Sequence, residues 1–544
     1  MPEGNTPAPA RPGAQSRADK LNTRAAGVVG LAVLCSRVLG LAREQIFAAL
    51  FGGGRVMDAF TIAFRIPNLL RDLFAEGALS TAFVTVFTRT ATLEDSGAEW
   101  RLANKVATLA VVTLSTITLL GIIIAPWLVG LLAPGFDPAK AALTVTLTRI
   151  MWPFILLVSL AALVMGMLNA RNVFGIPAMA SSFFNLGSIV AGVAVGYWLD
   201  PHFGPRAILG LAIGTLIGGG LQLLVQLPAL AREGYRFRPD VRWRDPGVRA
   251  ILRLMGPSVV AASTTQVNVL VNSVFASELG DGPTFWLTVA FRLMQLPLGI
   301  FGVALGTVAL PLLARMAATG NTVAFRSELA RGMRLALLMT IPASIGLMVL
   351  AEPIISVLYQ HGRFGAHETA ESAGALRFYA IGLCGYAALK VLVNAFYALD
   401  RRKTPMMVSF IAVVLNLVLN WIFTRELGWG HRGLAFSTAC VASSNFLILY
   451  FLMRNQLGRL ESRLMVTLLA KVALASAALF AICWGGNHLL LADWAVQPFW
   501  PKCASLTLVI VIGVAAFFLC ASALGIGEVH EIRAGVRRRL RRAR

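Results

Sequence analysis

Charge is in short supply in this sequence: 14% of its 544 residues are charged, and 48 basic residues outnumber 26 acidic ones. A soluble globular surface needs roughly a quarter of its residues charged, so a soluble domain is excluded. Histidine and cysteine are scarce as well, six of each. The cysteines (Cys35, Cys384, Cys440, Cys483, Cys503 and Cys520) contain no C-x-x-C pair and fall mostly in apolar runs. That pattern predicts small buried side chains, no disulfide framework and no metal. The histidines sit in loops, run ends or the tail, and "HETAE" at His367 holds only the first half of a zinc-binding H-E-x-x-H pattern. A membrane enzyme built on histidine therefore has little support. The G-x-x-x-x-G-K-[ST] phosphate loop is missing too, which argues against ATP hydrolysis within the chain.

What is present is apolar: 57% of residues are hydrophobic and the mean hydropathy is +0.72. About fourteen stretches approach the roughly 20 residues that cross a bilayer, which predicts an all-α polytopic membrane protein. The first, second, seventh and eighth cover 25 to 51, 57 to 88, 250 to 277 and 284 to 314. With the N-terminus placed in the cytoplasm, loop charges divide into roughly 32 Lys and Arg on one side and roughly 7 on the other. Both termini are therefore expected to be cytoplasmic. The net charge of +22 is spread over short loops, which favours anionic lipid over nucleic acid as its partner. The tail "VRRRLRRAR" fits the surface of the cytoplasmic leaflet.

An internal repeat organises the chain. "TIAFRIPNLL" at Thr61 resembles "TVAFRLMQLP" at Thr288, and the same displacement of 227 residues pairs Phe74 with Phe301, Ser80 with Thr307, Pro126 with Pro353 and Gly135 with Gly362. About six spans separate the copies, so they run in the same direction, as parallel repeats do. The expected organisation is a disordered cytoplasmic tail (1–24), an N-terminal six-helix lobe (25–231), a basic cytoplasmic linker (232–249) and a C-terminal six-helix lobe (250–455). Two additional transmembrane helices (456–524) and a basic cytoplasmic tail (525–544) complete it. Repeats of this kind suit a transporter that opens alternately to either side. Gly210, Gly214 and Gly218 form a ladder that predicts close helix packing.

Nine basic residues remain inside the apolar runs: Arg37, Arg43, Arg65, Arg71, Arg149, Arg292, Arg377, Lys390 and Lys471. A central Arg costs about 2.5 to 3.5 kcal/mol on insertion scales, so several on neighbouring helices call for water, partners or an anionic ligand. Five of the nine lie in the first, second and eighth runs, where Glu44, Asp72 and Glu76 are too few to balance them. A cationic cavity follows, and planar guanidinium groups suit phosphate. Arg149, Arg377, Lys390 and Lys471 read as structural. Ser36 with Arg43 and Arg37 with Glu44 share helix faces, while Asn68, Asp72, Glu76 and Ser80 continue one ridge at four-residue steps. Pro67, between Arg65 and Arg71, is expected to break the second span and expose backbone dipoles.

At these residues the chain resembles the lipid II flippases of peptidoglycan synthesis, the MurJ or MviN family within the MOP exporter superfamily. The resemblance rests on "SRVLGLARE", "MDAFTIAFRIPNLLRDLFAEGALSTAF", "FRLMQLPLGIFGVALGT" and "RKTP", and its span plan covers nearly the whole chain. It implies a flippase, not an enzyme, in a bacterial inner membrane. The substrate would be undecaprenyl-diphosphate-linked disaccharide pentapeptide, with cell-wall synthesis proteins as further partners. It also implies that Arg37, Arg43 and Arg292 line a central cavity, that Ser36, Asp58, Asn68, Arg71 and Glu76 occupy functional motif positions, and that the two extra C-terminal spans form a groove for the lipid tail. No cofactor is implied. A coupling ion or the membrane potential is left to drive the cycle, with its identity open. There are departures from the family pattern. Phe291 and Gln295 stand where some relatives place acids, and Arg401 and Arg402 follow Asp400 in a region linked to sodium binding in relatives. The runner-up reading is another exporter of the same superfamily, moving polyprenyl-linked glycans or drugs. A nonenzymatic scaffold is a third.

Overall fold

The computed structural model describes residues 12–71, 79–93, 95, 97–458 and 460–530, and no strand occurs among them. Nineteen α-helices follow one another among the described residues. The first nine are α1 (Pro12–Phe51), α2 (Arg55–Arg71), α3 (Ser80–Leu93), α4 (Ala98–Leu132), α5 (Pro138–Met151), α6 (Phe154–Ala170), α7 (Gly175–Leu199), α8 (Ile208–Leu224) and α9 (Leu227–Arg232). Then come α10 (Pro246–Ser277), α11 (Pro283–Pro297), α12 (Val303–Ala318), α13 (Thr322–Val349), α14 (Ala351–Tyr359), α15 (Ala366–Ala398), α16 (Lys403–Trp421), α17 (Gly430–Leu457), α18 (Ser462–Leu489) and α19 (Phe499–Ala523). Wider π turns join α11 to α12 and follow α16.

Among the described residues ten helices, counting α5 with α6, α8 with α9 and α16 with the turn that follows it, are long and apolar enough to cross a membrane. The other four expected spans are α1, α2 with α3, α10, and α11 with α12. Of these, α1, α2 and α11 carry intramembrane arginines, and the pairs α2 with α3 and α11 with α12 are interrupted. The repeat is visible in the elements: α2 corresponds to α11, α3 to α12, α5 with α6 to α15, and α7 to α16, at the displacement read from the sequence to within a few residues.

Two expectations change and a third is not reached. Helix α1 already begins at Pro12, so residues 12–24 are helical, while 1–11 lie outside the described residues. Pro67 does not end α2, which continues to Arg71; proline removes one N–H, and one such loss is tolerated inside a membrane helix. The ridge at Asp72 and Glu76 lies outside the described residues.

The chain divides into two compact units. The first comprises 1–47, 63–127 and 142–262; the second comprises 48–62, 128–141 and 263–544. In the first unit α7 and α8 pack through glycine: a Cβ at Gly210 would overlap the Gly196 backbone, and one at Gly214 would overlap Gly192. The glycine ladder does produce the predicted close approach. A separate core joins α3, α4, α6 and α9 through Phe83, Phe87, Leu163 and Leu168. In the second unit α13, α14, α18 and α19 share a core containing Leu338, Val472 and Phe517. There too the two copies repeat a contact. A Cβ at Gly135 would overlap Ser277 and Glu278 after α10, and one at Gly362 would overlap Ala49 near the end of α1. Gly362 has φ +57°, a conformation that favours glycine.

Candidate functional site

In the first unit, Arg43 is half-buried on α1. Its guanidinium carbon lies 5.0 Å from the centre of the Phe184 ring and 5.9 Å from that of Phe64. Phe154 backs both rings, at 5.4 Å from Phe184 and 5.7 Å from Phe64. Aromatic faces offset part of the hydration that a cation loses among apolar helices. The guanidinium is itself planar, with its N–H donors at its edge. The α2 backbone at Arg65 adjoins Phe64 and so lies close by. Ser36, one turn and more from Arg43, accepts a hydrogen bond on its carbonyl from Asn185 Nδ2 at 3.1 Å, which ties α1 to α7. Arg37 is exposed, while Arg65, Asn68 and Arg71 are half-buried. Glu76 lies outside the described residues.

Arg292 belongs to the second unit, half-buried on α11. Beside it Phe291 packs edge-on against Tyr379, with ring centres 5.3 Å apart. An aromatic contact therefore occupies the place where an acid was expected from relatives.

Asp58 also belongs to the second unit, and its surroundings differ from those of the arginines. Its carboxylate is fully buried and accepts hydrogen bonds from Gly282 N–H at 2.7 Å and Phe285 N–H at 2.9 Å, at the start of α11. Helix N-termini present unsatisfied N–H groups and a partial positive charge, so a carboxylate there is doubly favoured. Lys140 Nζ donates to the same carboxylate at 2.9 Å, to Asp281 at 2.8 Å and to the Gly280 carbonyl at 3.2 Å. Outside this core, Arg55 pairs with Asp137 at 2.5 Å and approaches Asp281 at 3.7 Å. The hydrogen bond from Arg55 holds the Asp137 carboxyl down at about 2.

Sequence reasoning missed Lys140, Asp281, Arg55 and Asp137. The available signal was Lys140 itself, one of few basic residues on the sparsely charged side.

It also missed an uncharged chain across α10, α16 and α17. Asn272 donates to Thr438 Oγ1 at 3.2 Å, and Asn420 donates to Asn272 at 2.8 Å and to Asn416 at 3.3 Å. Asn416 in turn donates to Ser437 at 3.4 Å. Such amide and hydroxyl bonds hold helices together within lipid.

Three of the four basic residues set aside as structural, Arg149, Arg377 and Lys471, bond to protein groups. Arg149 donates to the Ile122 carbonyl, Arg377 pairs with Glu352 at 2.9 Å and Lys471 reaches the Gly525 carbonyl. Among the described residues no group of three or more His, Cys, Asp or Glu side chains could hold a metal ion.

The second unit also contains an apolar cavity of about 250 Å³ between α13, α14, α18 and α19. Leu338, Pro342, Gly346, Ile354, Val514 and Phe517 are among the residues that line it.

The family model described as lipid II flippase MurJ matches residues 47–504. The lipid II flippase MurJ of Burkholderia cenocepacia is 36% identical over 78% of this chain and 82% of its own. A probable lipid II flippase MurJ of Vibrio cholerae is 34% identical over 92% and 95%. Among solved structures, a lipid II flippase MurJ described as an inward closed conformation aligns with a TM-score of 0.74 and 25% identity, covering 91% of this chain and 98% of that one. An inward-facing multidrug resistance MATE family transporter of the MOP superfamily aligns at 0.66 with 15% identity, over 78% and 96%, a likeness of fold alone.

Proposed function

This chain belongs to the lipid II flippase MurJ family and is a multi-pass lipid II flippase of a bacterial inner membrane, in which we propose that Arg37, Arg43 and Arg292 bind the substrate's diphosphate. The observation that carries the assignment is Arg43. A guanidinium placed among apolar helices and packed over the Phe184 and Phe64 rings is confined before any ligand arrives. Guanidinium N–H groups are paired donors of the kind that phosphate accepts. Arg65, Arg71, Asn68 and Ser36 contribute to the polar surroundings of the same ligand. Asp58 acts differently, as the buried anchor that fastens the start of α11 to Lys140. Glu76 is carried by the family motif alone.

The apolar cavity beside α18 and α19 suits the polyprenyl tail. The chain crosses the membrane with both termini in the cytoplasm, as two six-helix lobes followed by two helices, and works by alternating access without hydrolysing ATP. A coupling ion or the membrane potential drives it, and the uncharged Asn272, Asn416 and Asn420 chain supplies no anionic ligand for such an ion.

Conditional depletion with surface labelling of lipid II tests the function. Labelled lipid II at the outer face should fall as the protein disappears and return with the wild-type chain, but not with Arg43→Ala at equal abundance. Persistence of outward-facing lipid II in a cell with no second flippase would overturn the reading.

A further inference from the structure

Residues 233–245, between α9 and α10, form an irregular segment that is pinned along its length to α4. Asn104 grips alternate residues: its Nδ2 donates to the Arg236 carbonyl at 3.3 Å, and its Oδ1 accepts from Arg238 N–H at 3.0 Å. One turn on, Thr108 Oγ1 accepts from Asp240 N–H at 3.0 Å. Lys105 pairs with Asp245 at 2.5 Å, and Tyr235 packs on Trp100 with ring centres 5.5 Å apart. All of these contacts lie within the first unit.

The pinned backbone presents a particular outer face. Arg236, Arg238, Arg242 and Arg244 are exposed, as are the apolar side chains of Phe237 and Val241, at 52% and 69%. Each acid of the segment already has a basic partner: Glu233 pairs with Arg171, Asp240 with Arg242 and Asp245 with Lys105. Arg236, Arg238, Arg244, Arg249 and Arg253 have no carboxylate partner among the described residues. The flanking helices expose Leu227, Leu252 and Leu254, so the segment joins exposed apolar helix surfaces.

We propose that this strap is a docking surface for the phosphate headgroups of anionic glycerophospholipids in the leaflet beside it. Unpaired arginines supply the charge, and exposed Phe237 and Val241 enter the interface between headgroups and acyl chains. A mere excess of basic residues, the usual topology signal, needs no fixed backbone. Here Asn104 and Thr108 hold the backbone in place, so the guanidinium groups meet the bilayer as a preset array. An acidic soluble partner would account for the arginines but not for the apolar residues between them beside exposed leucines. The inference holds for whichever leaflet the strap faces and does not depend on which lipid is flipped.

The test uses the full chain in nanodiscs of phosphatidylcholine with or without phosphatidylglycerol. Photoactivatable analogues of the two lipids are cross-linked to it, and labelled peptides are mapped. Peptides from 233–253 should label preferentially with phosphatidylglycerol. In Arg236→Gln/Arg238→Gln/Arg244→Gln the preference should fall at least about tenfold, since each basic residue near an anionic surface contributes about fivefold. The corresponding triple lysine variant should retain most of it. Asn104→Ala leaves every arginine in place yet should lower the preference severalfold by releasing the backbone. Equal labelling by the two lipids, or a preference indifferent to the glutamine substitutions, would overturn the proposal. A preference unchanged in Asn104→Ala would overturn the role given to the pinned backbone.

Discussion

Lys140 Nζ stands 2.9 Å from the Asp58 carboxylate, and the two side chains are 2% and 0% exposed. A buried ion pair is no large net source of stability, because both charges have been taken out of water. Removing one partner is a different matter, since it strands the other. Asp281 and the N–H groups of Gly282 and Phe285 complete the solvation of this pair, so the start of α11 depends on it.

Lys140→Met should therefore destabilise the protein by about 3 to 5 kcal/mol, read as a lower midpoint of unfolding in detergent. Combining it with Asp58→Asn should recover part of that loss, because the stranded charge is gone. Strictly additive effects in the four-way comparison would show that the two residues act independently.

At position 43, activity should fall in the order Arg, Lys, Ala, Glu, measured as flipping at matched expression. Lysine keeps the charge but loses both the planar donor set and the guanidinium's place over the Phe184 ring. A charge-assisted hydrogen bond contributes about 1.5 to 3 kcal/mol, so lysine should weaken ligand binding by roughly one to two orders of magnitude. Glutamate sets like charge against the diphosphate. Equal activity for Lys and Glu would remove Arg43 from the ligand site.

Gly214→Leu should abolish accumulation of the folded protein, because the added side chain would have to displace the Gly192 backbone. Gly220→Leu, where a Cβ meets nothing within 4 Å, is the matched control and should accumulate normally. Comparable levels of the two variants would contradict the close packing of α7 on α8.

The Arg55 and Asp137 pair sets a pH window. Its carboxyl is held at about 2, below its ordinary 3.8, so the folded state binds fewer protons than the unfolded state in that interval. The stabilisation is fully present above the ordinary value and is lost as pH falls toward about 2. Thermal stability should therefore show an acid-side decline in this window that is smaller in Asp137→Asn. An identical acid-side decline in that variant would show that the pair makes no contribution.

Much of this was legible in the sequence for identifiable reasons. Glycines at four-residue steps on an apolar helix have one common use, and Gly210 and Gly214 show it. The basic residues of the first, second and eighth runs marked α1, α2 and α11, because intramembrane charge is costly wherever it occurs. Pairings across long chain separations were not legible. Lys140 meets Asp58 across 82 residues and Asn104 meets Arg238 across 134, and neither partner's spacing announces the other. Pro67 misled because a lost N–H suggests a break, whereas α2 continues through it.

Asp58 and Phe285 are 227 residues apart, which makes them counterparts in the duplicated sequence even though one accepts a hydrogen bond from the other. The two halves have thus ceased to be interchangeable. A hypothetical ancestor assembled from two identical first halves would place a second aspartate opposite the first in a site that excludes water, with a glycine where Asp281 stands and an arginine where Gly282 stands. Divergence of the copies at this one contact commits the fold to a single chain, so a symmetric dimer of either half could not rebuild it.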